Sequence, residues 1–358
     1  MRRLARPAAL TAGLLAAPMV ASPAAAAPEV VASVKPIHSL AAAVMQDVGS
    51  PRLLLQAGQS PHTYSLTPSE AAALERADLV VWVGPALESF LVRPVRNIAG
   101  PEASFPLIRL DGLNVRATRE GGAWAGHDHA HGGGHDHDEG HGHRDHDHDH
   151  DHGHEHGDAQ ADDHGHDHDR DHAKAETGSR GIAADRVDPH VWLDPENAQR
   201  IARALAGRLA ELDPDNAGTY RANADALIER IGALDAEMAQ TLAPVSDVPF
   251  VVFHDAYQYL EAHYGLRAVG SITLSPDRTP GAKRLAEIRG KIAELDARCV
   301  FREPQFAPDL VGTVVENTAA QVATLDPLGV DHPAGAEAYP SMMRDLAESL
   351  RGCLSPKS

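Results

Sequence analysis

The stretch "PDNAGTYRANADALIERIGALDAEMAQTLA", residues 214–243, decides the fold. Its apolar residues recur at helical spacing, and Pro214 follows Asp213 where a first helical residue follows its cap. At 1.5 Å per residue such a helix reaches about 45 Å, longer than a small domain is wide. It is therefore expected to bridge two lobes.

On both sides of it, short apolar runs alternate with helical patterns. Before it, "VVASV" (30–34), "RLLLQ" (52–56), "DLVVWVG" (78–84) and "PLIRL" (106–110) read as strands. "TPSEAAALERAD" (67–78) reads as a helix capped by Thr67, with Pro68 at its first position and Glu70 completing a capping box. A second helix follows Asp194–Pro195. Beyond 243, strands are expected in "PFVVF" (249–253), "LRAVGSI" (266–272), "RCVFRE" (298–303) and "QVATL" (321–325), with a helix begun by Thr279–Pro280. The rhythm implies an α/β protein of two lobes, each a mainly parallel sheet covered by helices. The divisions are a leader at 1–26, an N-terminal lobe at 27–213, the bridging helix at 214–243 and a C-terminal lobe at 244–358.

The N-terminal lobe is interrupted. Between His127 and His172 stand 17 histidines, 15 Asp or Glu and only two arginines, and this segment carries about −13 of the net charge of −19. Within it "HRDHDHDHDHGHEHG" (143–157) has no apolar side chain. Residues 119–182 form a low-complexity insert that cannot bury enough apolar surface to offset its ordering entropy, and it is expected to be mobile without metal. The rest of the chain is mildly acidic, has no basic stripe and few aromatics, and gives no sign of nucleic-acid binding.

The chain begins "MRRLARPAALTAGLLAAPMVASPAAAA". Two arginines, a short apolar run and closing small residues read as a secretory signal, with cleavage expected after Ala26. No cysteine follows to carry a lipid. The mature protein is expected to be soluble, exported and a monomer. Export gives Cys299 and Cys353, the only two cysteines, an oxidising compartment. A bridge between them would staple the C-terminal part of the chain; a metal-binding or reactive pair is the other reading.

Outside the insert six histidines remain: His38, His62, His190, His254, His263 and His332. In open α/β sheets ligands bind at the carboxyl ends of strands. His254 directly follows "VVF". His62, in "QAGQSPHTYSLTPSE", lies in a loop between a strand end and a capped helix. His190, in "VDPHVWLDPE", lies in a similar loop, and Asp326 follows "VATL". Three neutral imidazoles and one oxygen suit tetrahedral Zn²⁺ above all. Glu303, in "FREPQF", also ends a strand and is an alternative to Asp326. His38 could border the same cleft, whereas His263 and His332 are weaker candidates.

The stretches "VASVKPIHSL", "SPHTYSLTPSEAAALERADLVVWVG", "DPHVWLDPENA", "VFHDAYQYLEAHYGL", "CVFREPQF" and "ATLDPLG" together resemble the periplasmic zinc-binding receptors of ABC importers, the ZnuA type. The resemblance spans about 29–118 and 183–354, and the histidine-rich insert fits it. It implies two α/β lobes joined by a rigid helix with the metal between them. It carries the ligands over to His62, His190 and His254, and a C-terminal disulfide to Cys299–Cys353. Manganese-binding relatives place a carboxylate where this chain has His254, so zinc is implied. The fourth ligand varies in the family; with Gln59 and no acid between Leu53 and His62, Asp326 or water is favoured.

The function expected is capture of Zn²⁺ and its delivery to an ABC transporter permease, without bond chemistry, with the insert as a weak auxiliary collector. A zinc store acting through the insert is one competitor. A zinc enzyme is another, for three histidines and an open position also describe catalytic zinc. No HExxH is present, and no acid–base partner stands beside the proposed ligands.

Overall fold

A computed structural model describes residues 26–56, 58–119, 182, 186–273, 280–306 and 309–356. All but the two ends of the expected insert, and the leader up to residue 25, lie outside the described residues.

Two four-stranded parallel sheets carry the molecule. The first comprises β1 (Val30–Ala32), β2 (Arg52–Leu53), β3 (Leu79–Trp82) and β4 (Ser104–Pro106), in the order β2-β1-β3-β4. The second comprises β5 (Phe250–His254), β6 (Ala268–Thr273), β7 (Cys299–Arg302) and β8 (Gln321–Thr324), in the order β6-β5-β7-β8. The two orders are the same, so each lobe reverses its winding beside its first strand, β1 or β5. Parallel strands need crossovers, and the helices that supply them cover both faces. In the N-terminal lobe these are α1 (Lys35–Val44), α2 (Pro68–Arg76), the short α3 (Val92–Pro94) and α4 (Pro195–Leu212). After the bridging α5 (Ala217–Leu242) come α6 (Gln258–Tyr264), α7 (Ala282–Glu294), α8 (Asp309–Val315) and α9 (Ala338–Leu354).

The expected long helix is present, with trimmed ends. Pro214–Asn216 and Ala243–Val245 are single 3₁₀ turns flanking α5, whose 26 residues span about 39 Å. Its buried stripe, Tyr220, Ala224, Leu227, Ile231, Leu234, Met238 and Leu242, steps by three or four residues and keeps one face inward. That face packs on α4 and α1 of one lobe and on α9 of the other. One continuous core therefore runs through both lobes.

One expected strand is displaced. Residues 106–110 do not form a strand: β4 ends at Pro106 and Leu107–Arg109 is a 3₁₀ turn. Leu107 and Ile108 are buried all the same, which is why the run looked like a strand. The helix expected from Thr279–Pro280 begins at Ala282, and Thr279 itself lies outside the described residues.

Contacts between the lobes are polar as well as apolar. The Lys35 ammonium, at the start of α1, donates to the carbonyls of Gly329 (2.6 Å), Val330 (2.9 Å) and His332 (2.7 Å). The Trp192 indole donates to the Pro327 carbonyl at 2.9 Å, and the Tyr339 hydroxyl to the Trp192 carbonyl at 3.0 Å. Cys299 and Cys353 form a disulfide that ties the end of α9 to the first residue of β7.

Candidate metal centre

Each of the three histidines is delivered by a local device. His254 is the last residue of β5, beside the reversal in strand order, where the two flanking loops diverge and leave a crevice. His62 lies in a turn closed by Thr63 N–H to the Ser60 carbonyl (3.3 Å). The turn is anchored to α2: Tyr64 donates to Glu70 at 2.6 Å, and Glu70 also accepts the Thr67 N–H at 2.8 Å, as the capping box requires. His190 precedes a 3₁₀ turn, Val191–Leu193, which leads to the Asp194 cap of α4.

The three meet between the lobes. One nitrogen from each of His62, His190 and His254 lies within 4.8 Å of the others. His190 and His254 are buried, while His62 is half-exposed and faces the opening. Pro61, Leu87, Trp192 and Phe306 contribute apolar walls.

Buried carboxylates set the tautomers. The His190 Nδ1–H donates to Asp188 Oδ1 at 2.8 Å, and the same oxygen accepts the His190 backbone N–H at 3.0 Å. The His254 Nδ1–H donates to Glu303 Oε1 at 2.7 Å. With each Nδ1 so engaged, both Nε2 atoms present lone pairs, and they stand 3.3 Å apart. Two lone pairs repel at that distance unless a proton or a cation lies between them. A tetrahedral zinc with bonds of about 2.0–2.1 Å holds its nitrogens about 3.3–3.4 Å apart. The spacing is that of two zinc ligands already in place.

Protonation follows the same geometry. Burial pushes the His190 imidazole well below its ordinary pKa, and the neighbouring charge on His254 adds to this. Burial also opposes charge on His254, but the Glu303 carboxylate outweighs it and raises that imidazole. Of the two rings, His254 is the one whose protonated form is favoured. Burial pushes the Asp188 carboxyl up to about 7, against the N–H groups that favour its ionised form.

The other expected residues lie elsewhere. Asp326 does not join the three histidines: its carboxylate accepts from the Leu328 and Val330 backbone N–H groups and from Gln305 Nε2 (2.8 Å). Glu303 is at the site, but as the partner of His254 Nδ1. His38 bonds the Pro51 carbonyl at 3.0 Å, His263 bonds Asp235 at 2.8 Å and His332 bonds Asp345 at 2.8 Å.

Sequence reasoning missed Asp188, although it stands two residues before His190 in the quoted loop. It also missed the structure at the root of the insert. Ala117 pairs antiparallel with Val187, and Arg119, taken as the insert's first residue, is clamped to Asp255 and Glu261 of the other lobe.

Two lobes of identical strand order, facing each other across three imidazoles of which two are held by carboxylates, define a metal-capturing receptor. The pattern of the family described as "Zinc-uptake complex component A periplasmic" matches residues 30–353, and the chain belongs to that family of periplasmic transport receptors, which are not enzymes. The High-affinity zinc uptake system protein ZnuA of Brucella suis is 46% identical over 326 residues, 91% of each chain. The protein of that name from Paracoccus denitrificans is 42% identical over 328 residues, covering 91% of this chain and 92% of that one. Among solved structures, a crystal structure of ZnuA overlays with a TM-score of 0.65 at 22% identity, covering 92% of this chain and 100% of that one. The laminin-binding protein Lmb of Streptococcus agalactiae does so at 0.65 and 23%, with the same coverage. These two structures share the fold.

Proposed function

We propose that this protein captures Zn²⁺ in the periplasm through His62, His190 and His254 and hands it to the membrane permease of an ABC importer. The observation that carries the ligand assignment is the 3.3 Å separation of two Nε2 lone pairs, each ring fixed from behind by a carboxylate. Zinc enters past half-exposed His62 and meets two imidazoles already oriented, so little ordering remains to oppose binding. As it binds, it competes with protons for the His254 ring nitrogen. The carboxylates of Asp188 and Glu303 then balance part of its charge and raise the basicity of the ligating rings. Neutral imidazoles favour zinc over manganese, which prefers oxygen.

The receptor acts as a monomer after cleavage of its leader behind Ala26, and it does not bind nucleic acid. Among the described residues no helix is long and apolar enough to cross a membrane. The histidine-rich insert collects zinc weakly: histidines at spacing two or three, interleaved with carboxylates, offer many partial ligand sets and no fixed one. A strain lacking the receptor tests the transport role. Growth in chelator-treated medium should return with the wild-type gene and not with a His190→Ala, His254→Ala variant. Full rescue by that variant would overturn the assignment.

A further inference from the structure

His190 and His254 come from opposite lobes, so the 3.3 Å between their Nε2 atoms depends on how the lobes are held together. The N-terminal lobe contributes two paired segments, 116–119 and 186–188. They are joined by the Ala117–Val187 bridge, by the Thr118 N–H to the Arg186 carbonyl (2.9 Å) and by the Asp188 N–H to the Arg116 carbonyl (2.8 Å). Together they grip the C-terminal lobe beside both imidazoles. The Arg119 guanidinium forks onto Glu261 of α6, with a 2.8 Å bond to each carboxylate oxygen. Its Nε donates at 3.0 Å to Asp255, the residue after His254. From the first position of α6, the Gln258 amide donates to the Ala117 carbonyl (3.0 Å) and to Asp188 Oδ2 (3.2 Å), the oxygen that His190 does not use. The Tyr259 hydroxyl donates to the Asp188 carbonyl at 2.8 Å and accepts the Arg116 N–H at 3.1 Å.

These contacts close a ring. It runs from His254 through Asp255 and Arg119 to the paired segments, then through Asp188 to His190. Gln258 draws the same ring tight from α6. An ion that bonds both Nε2 atoms at about 2.0–2.1 Å fits their spacing as it stands. A larger divalent ion that also accepts imidazole, such as Cd²⁺, forms longer bonds and must push the two rings, and the segments behind them, apart. We propose, resting on the zinc site above, that Arg119 and Gln258 determine metal specificity: the staple they form between the lobes holds His190 and His254 at zinc spacing, and a larger cation must strain it. Specificity of this kind is a difference between two affinities, built by a cost imposed on the wrong ion. Neither side chain is among the three that converge on the metal, so both are positioning residues. Lysine at 119 would supply the charge but not the rigid two-pronged grip.

Chelator competition with Zn²⁺ and with Cd²⁺, on the full chain and at metal concentrations that fill only the tightest site, tests this. Gln258→Met keeps the side-chain length and removes both donated bonds. Arg119→Lys keeps the charge that faces Asp255 and Glu261 and loses the fork. In each variant zinc affinity should fall about tenfold, within the range for residues behind metal ligands. Cadmium affinity should fall much less, so the preference for zinc shrinks. A purely structural role would instead lower the melting temperature of the metal-free protein and weaken both metals alike. A zinc-to-cadmium preference unchanged from wild type in both variants would overturn the proposal, whatever their melting temperatures. Undiminished zinc affinity in a His190→Ala, His254→Ala protein would instead reject the three-histidine site on which it rests.

Discussion

At the scale of single residues, the decisive feature is the carboxylate behind each buried imidazole. Asp188→Asn and Glu303→Gln keep shape but allow the facing ring to flip its tautomer. Each should lower zinc affinity 10- to 100-fold in a chelator competition, with little change in fold. Acid should act through His254. Its pKa is raised, so proton competition begins above the usual imidazole value near 6.5, while His190 stays neutral throughout. Calorimetry in buffers of different ionisation enthalpy should find proton release on zinc binding that grows as pH falls. The linked effect on the metal-free protein has a definite sign. A raised pKa means that the His254 contribution to stability is present below about 6.5 and is lost as pH rises through the folded value. That His62, His190 and His254 converge was legible in the sequence because each stands alone at a strand end or before a capped helix. Asp326 stands at a strand end too, but backbone N–H groups two and four residues ahead claim its carboxylate. Position along a strand says where a side chain starts, not which neighbour it satisfies.

At the scale of elements, the devices that carry the ligands can be separated from those that hold the lobes. Glu70 caps α2 and receives the Tyr64 hydroxyl two residues beyond His62. Glu70→Ala should cost about 1 kcal/mol in denaturant unfolding and should also weaken zinc binding, because it loosens that turn. The disulfide is placed otherwise. Cys299 is the first residue of β7 and pairs with Phe250, the first of β5, so the bridge lies at the opposite end of the strands from His254. Replacing both cysteines by serine should lose up to about 4 kcal/mol of stability, the chain-entropy value for a loop of 54 residues, and leave zinc affinity unchanged. The capping box and α5 were readable because their signals are local. The run 106–110 misled because a short apolar stretch buries equally well as a strand or as a tight turn.

At the scale of the whole molecule, two copies of one strand order face each other across a cleft bolted by α5 and by bonds such as Lys35 to three carbonyls of the opposite lobe. The long helix and the β-then-α rhythm made that plan legible. The pairing across the cleft was not, since Lys35 and Gly329 lie 294 residues apart and no local pattern links them. The conspicuous histidine tract and the site proposed here also separate at this scale: one is repetitive, the other uses three isolated residues with fixed partners. The central claim is that tight zinc binding belongs to His62, His190 and His254. A competition titration against a zinc chelator, on protein lacking residues 120–181, addresses it most directly. One tight site is expected in that protein, with a large loss of affinity on alanine substitution of any one of the three histidines and no tight site when all three are replaced. Undiminished affinity in the triple variant would contradict the account.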